Sequence, residues 1–130
     1  MILVIGGESQ GKKEYAANTF GLAAEEFADG ASCTEEELLG ASAVDHFHEY
    51  IRRVLKNEGE EGVLGLAEKL TGQNPDILVV SNELGYGVVP VDKFERLYRE
   101  KTGRICCALA AFAKRVDRVV CGIGMVIKNE

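Results

Sequence analysis

The sequence predicts an α/β protein with a mostly parallel sheet and helices on both faces. Two apolar segments of strand length, residues 1–5 and 76–82, each run into a glycine-bearing loop that is followed by a helical pattern. Strands that alternate with helices in this way form parallel sheets covered on both faces. The chain has 130 residues, a length that suits one domain with one core. We therefore expect a single three-layer α/β/α domain over residues 1–130.

Composition excludes some classes of partner and location. The net charge of −6 disfavours non-specific nucleic-acid binding, which depends on Lys and Arg against phosphates. No apolar run is long enough to span a membrane, and no basic leader precedes the first apolar run, so we expect a cytoplasmic protein. The four cysteines form no C-x-x-C pair, and we interpret all of them as reduced core thiols: Cys33, Cys106, Cys107 and Cys121.

The N-terminal half is predicted as strand, loop and helices. Residues 1–5 form a buried strand that stops at two glycines, and residues 12–22 form a helix. A short second strand is expected within residues 26–32. Thr34 and Glu37 have the spacing of a capping box, and the apolar stripe behind them predicts a helix from there to about Lys56.

The C-terminal half repeats the alternation. After a turn at residues 57–62 and a short helix at 63–70, residues 76–82 form the second clear strand, followed by a glycine-bearing loop at 83–90. Asp92 and Glu95 suggest another capping box, which begins a long helix to about Val116 with a possible bend at Gly103. Residues 118–121 and 125–128 are predicted as two closing strands.

The first glycine-rich segment fits a phosphate-binding loop. It matches the pattern Gly-x-x-x-x-Gly-Lys between an apolar strand and a helix, which is the context that the P-loop requires. Glycines let successive N–H groups turn toward an anion, the helix start adds partial positive charge, and the lysine lies over the β- and γ-phosphates. A glycine-rich turn that binds nothing is the alternative. The predicted phosphate-binding residues are Gly6, Gly7, Glu8, Ser9, Gln10, Gly11, Lys12 and Lys13.

Lys13 departs from the P-loop pattern. The usual residue after the P-loop lysine is Ser or Thr, whose hydroxyl holds Mg²⁺. An ammonium cannot ligate a metal and repels one, although it can still neutralise phosphate charge. Nucleotide binding, of GTP or ATP, is therefore better supported here than catalysis, and Mg²⁺ is only weakly supported.

A second motif resembles a known family. The run VSNELGYGVVP at residues 80–90 is similar to the motif V-S/T-N-E-V/L-G-x-G-I/V-V-P of the bifunctional adenosylcobinamide kinase/adenosylcobinamide-phosphate guanylyltransferases. The similarity continues through Phe94, Arg96, Tyr98-Arg99-Glu100 and Gly103-Arg104 to the run CGIG at residues 121–124. The similarity thus covers the glycine-rich loop and, separately, an almost continuous stretch from residue 76 to residue 128.

The resemblance implies an enzyme of cobalamin assembly. Members of this family phosphorylate the aminopropanol hydroxyl of adenosylcobinamide with ATP or GTP, and then transfer GMP from GTP through a histidine–GMP intermediate. It also implies a corrinoid substrate and a homo-oligomer, since members form trimers. Members carry one further strand with an acidic Asp-Cys-Leu-Thr-type segment that serves the metal. We expect this strand to be missing here, which leaves a shortened relative with reduced activity or a non-catalytic nucleotide- or corrinoid-binding protein.

The two histidines of the chain, His46 and His48, lie in the run DHFHEYIRR at residues 45–53. By resemblance the nucleotidylated histidine lies on the helix after the second strand, where His46 falls, and a neutral imidazole can attack an α-phosphorus. Arg52 and Arg53 would contact phosphates from one turn away. The alternative is a polar helix face with two solvated histidines. A metal site is less favoured because no third ligand is evident.

Two acidic residues complete the candidates. Glu83 follows a predicted parallel strand, where α/β proteins bind ligands, and it could contact substrate or hold Mg²⁺ through water. A capping carboxylate is the alternative for Glu83, and Asp29 is a weaker candidate of the same kind. Three functions remain open: the enzyme, with Lys12, His46 and Glu83 as its working residues, the non-catalytic binding protein, and a structural domain with a vestigial loop.

Overall fold

The described part of the chain, residues 1–84 and 91–130 of a computed structural model, contains one six-stranded sheet. Its strands lie in the spatial order β2-β3-β4-β1-β5-β6. The first five are parallel and β6 runs antiparallel to β5. Their bounds are β1 (Ile2–Gly6), β2 (Phe27–Asp29), β3 (Ala43–Asp45), β4 (Leu78–Asn82), β5 (Arg115–Val120) and β6 (Ile123–Asn129). The predicted P-loop NTPase-like α/β architecture with a mostly parallel sheet is confirmed.

Helices cover both faces of this sheet. One face is covered by α1, whose buried Ala16 packs with Val4, Leu78, Val80 and Val119. The other face carries the larger core, to which α2, α3, α5 and α6 contribute Leu38, Ile51, Leu70 and Leu109. The helices are α1 (Lys12–Phe20), α2 (Glu35–Gly40), α3 (Phe47–Glu58), α4 (Glu60–Val63), α5 (Leu66–Gln73) and α6 (Lys93–Phe112), with a 3₁₀ turn at Ala24–Glu26.

Side-chain caps begin two of these helices, as predicted. Thr34 accepts from the amide of Glu37 at 3.1 Å, and the Glu37 carboxylate accepts from the amide of Thr34, which completes the capping box of α2. Asp92 accepts from the amide of Phe94 at 2.7 Å at the start of α6. The Glu95 carboxylate pairs with Arg52 instead of returning to the cap, so that the second box is only half formed. Helix α6 continues through Gly103 without a break.

The single long helix predicted from Thr34 to Lys56 is wrong. Helix α2 ends at Gly40, β3 follows, and α3 begins at Phe47. Strand β3 pairs with both β2 and β4, and all three of its residues are buried. Hydrogen bonding to two strands therefore outweighs the helical spacing of the apolar residues. Strand β3, which ends in the acidic residue Asp45, is thus a strand that the sequence prediction did not include.

Other boundaries move by a few residues. The turn predicted at 57–62 is largely helical, because α3 runs to Glu58 and α4 follows at once. Helix α6 stops at Phe112, so that Val116 belongs to β5 and not to the helix. The loop predicted at 83–90 lies, from residue 85 on, outside the described residues.

The cysteines are free thiols in the structure, but they do not all lie in the core. Cys33 is buried, Cys106 is half-buried, and Cys107 and Cys121 are exposed. The prediction of a core position is thus wrong for the last two. Over residues 1–84 and 91–130, none of the helices has the length and apolar character needed to cross a membrane.

A buried carboxylate links β5 to the helix that follows the first strand. Asp117 is fully buried, and its oxygens accept from the Tyr15 hydroxyl at 2.6 Å and from Arg115 at 2.9 Å and 3.0 Å. The Asp117 hydrogen bond is the main cause that raises the pKa of Tyr15. These contacts satisfy a charge that would otherwise be costly to bury, and they hold α1 against the sheet.

We expect Tyr15→Phe to lower the free energy of unfolding by about 1.5–3 kcal/mol, because it removes one hydrogen bond to a buried charged group. Urea denaturation followed by circular dichroism measures this change. Tyr50→Phe is the matched control, since the hydroxyl of that buried tyrosine makes no hydrogen bond within the described part of the chain. Equal effects of the two substitutions would contradict the role given to the Asp117 contact.

Candidate phosphate and histidine site

The glycine loop (residues 6–12) connects the central strand β1 to α1 and is held from both sides. On one side, the Glu83 amide at the end of β4 donates to the Gly6 carbonyl at 2.8 Å. On the other, the turn between β5 and β6 donates twice to Gln10: the Gly122 amide to its carbonyl at 2.8 Å and the Cys121 amide to Oε1 at 2.7 Å. The neighbouring strands of β1 therefore fix the path of the loop.

The loop ends at the uncapped start of a helix. Gly11, the residue before α1, has a left-handed backbone with φ 81° and makes no side-chain cap. Helix starts carry amides without intrahelical partners and a partial positive charge. This end of α1 can therefore receive an anion.

Lys12 is a buried cation at this point. Only 8% of the residue is exposed, and its Nζ donates to the Gly7 carbonyl at 2.6 Å. Burial lowers the pKa of Lys12, and the charges of Asp45, Glu8 and Glu83 act in the opposite direction. Within residues 1–84 and 91–130 the hydrogen-bond partner of this ammonium is a neutral carbonyl, which a phosphate oxygen can replace.

A cavity of about 540 Å³ opens beside the glycine loop. Its volume lies in the range of small-ligand sites. The walls come from the carboxyl ends of β2, β3 and β4 and from the first turns of α1 and α3, so the cavity lies where parallel sheets bind ligands. It is lined by Glu8, Ser9, Gln10, Gly11, Lys12, Lys13, Glu14, Asp29, Ala31, Asp45, His46, His48, Glu49 and Asn82.

His46 occupies a constrained position in this cavity. It follows β3 directly, precedes α3, and has a left-handed backbone with φ 55°, which is uncommon for a residue other than glycine. Its Nδ1 lies 3.1 Å from Asp29 Oδ1 and 3.5 Å from Asp45 Oδ2. The side chain remains 51% exposed. Because two carboxylates face Nδ1, the neutral form of this imidazole carries its proton on that nitrogen and its lone pair on Nε2.

Gly30 fixes the distance between Asp29 and His46. Its amide donates to the Asp45 carbonyl at 2.7 Å. A Cβ at this position would lie 2.1 Å from the His46 carbonyl oxygen, so only glycine allows the two backbone segments to approach this closely. Asp29 itself is held by the Ala31 amide, which is the main cause that lowers its pKa, and His46 adds to the effect.

His48 is a buried neutral histidine beside His46. The two rings pack edge to face with centroids 6.0 Å apart. The Asn82 amide at the end of β4 donates to His48 Nδ1 at 3.1 Å, which places the ring proton on Nε2. Burial lowers the pKa of His48 to about 4, and positive charge on Lys12, or on His46 when that ring is protonated, acts in the same direction.

The structure does not bring Arg52 and Arg53 to the cavity. Arg52 makes two hydrogen bonds to the Glu95 carboxylate of α6, at 3.1 Å and 2.5 Å. Arg53 donates to the carbonyls of Gly30 and Cys33 at 3.2 Å and 2.5 Å. Both arginines that were expected to contact phosphate are therefore engaged with other groups, and Arg53 supports the turn that follows Asp29.

Glu83 lies next to the glycine loop but outside the main cavity. Its carboxylate accepts from Arg118 Nε at 2.7 Å and is 12% exposed. Its charge reaches Lys12, whose pKa it helps to raise. A smaller cavity of about 310 Å³, which Thr102 and Cys106 also line, lies on its other side.

Three parts of this site were not predicted from the sequence. Asp45 and Asn82 stand at the ends of β3 and β4, and the turn at Cys121 and Gly122 anchors the loop. An acid directly after a short apolar segment was the available signal for Asp45. His46 also differs from the expectation drawn from the resemblance: the helix after the second strand is α2, which contains no histidine, whereas His46 follows the third strand.

Fold and loop together define an α/β protein of P-loop NTPase-like architecture with a candidate phosphate site. Residues 34–127 match the family described as cobinamide kinase/cobinamide phosphate guanyltransferase, and the chain belongs to this family. The match runs from the start of α2 through most of β6 and leaves the glycine loop outside it.

Two curated relatives agree with this assignment. The chain is 44% identical to the bifunctional adenosylcobalamin biosynthesis protein CobU of Escherichia coli over 52 residues, which are 40% of this chain and 29% of the relative. It is 38% identical to the corresponding protein CobP of Pseudomonas aeruginosa over 74 residues, which are 56% of this chain and 41% of the relative. The aligned segments thus span less than half the length of either relative.

The buried state of His48 predicts a pH dependence of stability. Its pKa is about 4 in the folded chain and about 6.5 in an unfolded one, so the unfolded state binds more protons between these values. We expect the stabilisation that comes from keeping His48 neutral to be fully present above pH 6.5 and to be lost as the pH falls toward 4. The free energy of unfolding should fall by roughly 3 kcal/mol at most from this cause.

Urea denaturation of wild type and His48→Gln across this pH range measures the effect. Wild type should lose more stability than the variant as the pH falls. Identical pH profiles would contradict the assignment.

Proposed function

We propose that the chain binds GTP or ATP at the glycine loop and uses it in the phosphorylation or guanylylation of a cobinamide, a reaction of cobalamin assembly. The observation that carries this proposal is Lys12, a buried ammonium at the start of α1 on the wall of a cavity of about 540 Å³. Membership of the cobinamide kinase/cobinamide phosphate guanyltransferase family supports the choice of substrate class.

Phosphate binding would use groups that are already in place. The amides of the glycine loop and of the first turn of α1 would donate to phosphate oxygens. Lys12 would leave the Gly7 carbonyl and contact the terminal phosphates. The anchors at Gly6 and Gln10 would keep the loop in position without a nucleotide, so that little ordering is needed on binding.

His46 would act as the nucleophile in guanylylation. Its Nε2 lone pair would attack the α-phosphorus of GTP, a P–N bond would form, and the bond to the β-phosphate oxygen would break with release of pyrophosphate. Asp29 would hold the Nδ1 proton and stabilise the positive charge that develops on the ring. The corrinoid phosphate would then attack phosphorus and release the histidine. This role for His46 rests on its local geometry and not on the position of the family's histidine.

Glu83 has a supporting role in this proposal. Its carboxylate pairs with Arg118 and its charge acts on Lys12, and its backbone amide donates to the Gly6 carbonyl. We place Glu83 as a positioning residue for the glycine loop. Because it also lines the smaller cavity, it could contact a corrinoid bound there.

A non-catalytic nucleotide- or corrinoid-binding protein is the second candidate function. Two observations favour it: the helix after β2 contains no histidine, and Lys13 stands where a metal-binding hydroxyl is usual. This candidate predicts nucleotide binding without labelling of the chain.

We also propose that the chain forms a homo-oligomer, as the family resemblance implies. Strand β6 has exposed apolar side chains, with Ile123 at 74% and Met125 at 56% exposure. Gly124 between them faces Tyr15 of α1, so Ile123 and Met125 point to the opposite face of the sheet.

Light scattering should give a mass above that of the monomer, and the double substitution Ile123→Lys with Met125→Lys should reduce that mass. A monomeric wild type would contradict the proposal.

Labelling with α-³²P-GTP separates the two candidate functions. We expect label on wild type, none on His46→Ala, and reduced label on Asp29→Asn. His46→Ala should still bind nucleotide, because it leaves the glycine loop intact. A wild type that binds GTP without becoming labelled would overturn the nucleophile and leave the non-catalytic candidate.

Removal of Lys12 tests the binding site itself. We expect Lys12→Ala to weaken nucleotide binding about tenfold or more, since a hydrogen bond between charged groups is lost. Titration with a fluorescent GTP analogue measures the affinity, and the exposed Lys56→Ala serves as the matched control. Unchanged affinity of Lys12→Ala would place the nucleotide elsewhere.

A further inference from the structure

Lys13 is placed to act on a ligand in the main cavity. It lies in the first turn of α1, is exposed, and lines the cavity beside Lys12. Its Nζ lies 5.4 Å from the centroid of the Phe27 ring at the start of β2. It also belongs to the charges that lower the pKa of Asp29, after the larger effects of the Ala31 amide and His46. The ammonium therefore faces the part of the cavity between the glycine loop and β2.

The groups around this position do not fit a P-loop magnesium ion. The P-loop hydroxyl that ligates Mg²⁺ is replaced by an ammonium, which offers no lone pair and repels a divalent cation. Among the described residues no group of three or more acidic, histidine or cysteine side chains could hold a metal ion, and two aspartates of the cavity are engaged with other donors. Asp29 Oδ1 accepts from the Ala31 amide and faces His46, while Asp45 Oδ1 accepts from the His46 amide. The side chains thus disagree with the metal that the P-loop pattern implies.

We propose that Lys13 takes the place of the divalent cation, so that this chain binds its nucleotide as the metal-free anion. This proposal rests on the nucleotide binding proposed above. Lys12 would contact the phosphates from inside the loop and Lys13 from its rim. The two ammonium groups would neutralise the negative phosphate charge that magnesium neutralises in other P-loop proteins. The Phe27 ring would hold the Lys13 side chain near the phosphates through a cation–π contact.

Titration with fluorescent GTP in excess EDTA and in excess magnesium chloride tests the proposal, with wild type, Lys13→Ser and Lys56→Ser compared. Wild type and the exposed control Lys56→Ser should bind equally well in both buffers, within about threefold. Lys13→Ser should bind about tenfold more weakly in EDTA, because it loses a charged phosphate contact, and magnesium should restore its binding through the new hydroxyl. Because Lys13 is exposed, thermal melting should show that the variant folds normally.

The outcomes separate the two proposals. Wild-type binding that requires magnesium would overturn the role of Lys13 and leave nucleotide binding intact. Equal binding of wild type and Lys13→Ser in EDTA would also overturn it. Absence of binding by wild type in both buffers would overturn the proposed nucleotide function, and with it the inference drawn from it.

Discussion

The central position of β1, hydrogen-bonded on both sides, is the constraint on which the candidate site depends. Because β4 and β5 flank it in parallel register, the ends of all three strands meet at one edge of the sheet. The Glu83 amide then reaches the Gly6 carbonyl, and the turn after β5 reaches Gln10. A glycine-rich segment with many accessible conformations thereby keeps one path. The path of the loop in turn fixes the positions of Lys12 and of the start of α1.

The part of the cavity around His46 depends on a different feature, which is the close approach of two short strands. Strands β2 and β3 are three residues each, and their ends bring Asp29 and Asp45 to the same imidazole. Gly30 permits this approach, and Arg53 holds the turn from behind through two carbonyls. The left-handed backbone of His46 is held by its surroundings, since residues other than glycine adopt it uncommonly. The site therefore combines a phosphate cradle from the sheet centre with a carboxylate–histidine pair from its edge.

Much of the fold could be predicted because its signals are local. The strand–loop–helix of β1, the glycine loop and α1 is contiguous in sequence, and so are the caps at Thr34 and Asp92. Strand β3 could not be found in this way. With only three residues, it has no period of its own, and the apolar residues around it also fit a helical stripe. Its conformation comes from pairing with β2 and β4, which are distant in the chain.

The candidate site shows the same division. Residues of the glycine loop follow from the pattern and its context, whereas the contacts of Arg52 and Arg53 with other partners were not predicted, because helical spacing gives a direction and not a partner. The partner of Arg52 is Glu95, which lies 43 residues away. Asp45 and Asn82 join the site only through the order of strands in the sheet. Long-range pairing, which single residues do not reveal, decides which charges face the ligand.

The amide chemical shifts of the labelled protein, recorded as GTP is added, test most directly whether the glycine loop is the phosphate site. If phosphate binds at the glycine loop, the largest shifts should fall on the amides of Gly7 to Lys13, with smaller shifts at Asp29 and His46 and almost none at Leu66 and Ala67 in the distant helix α5. Largest shifts at α5, or none in the loop at saturating GTP, would contradict it.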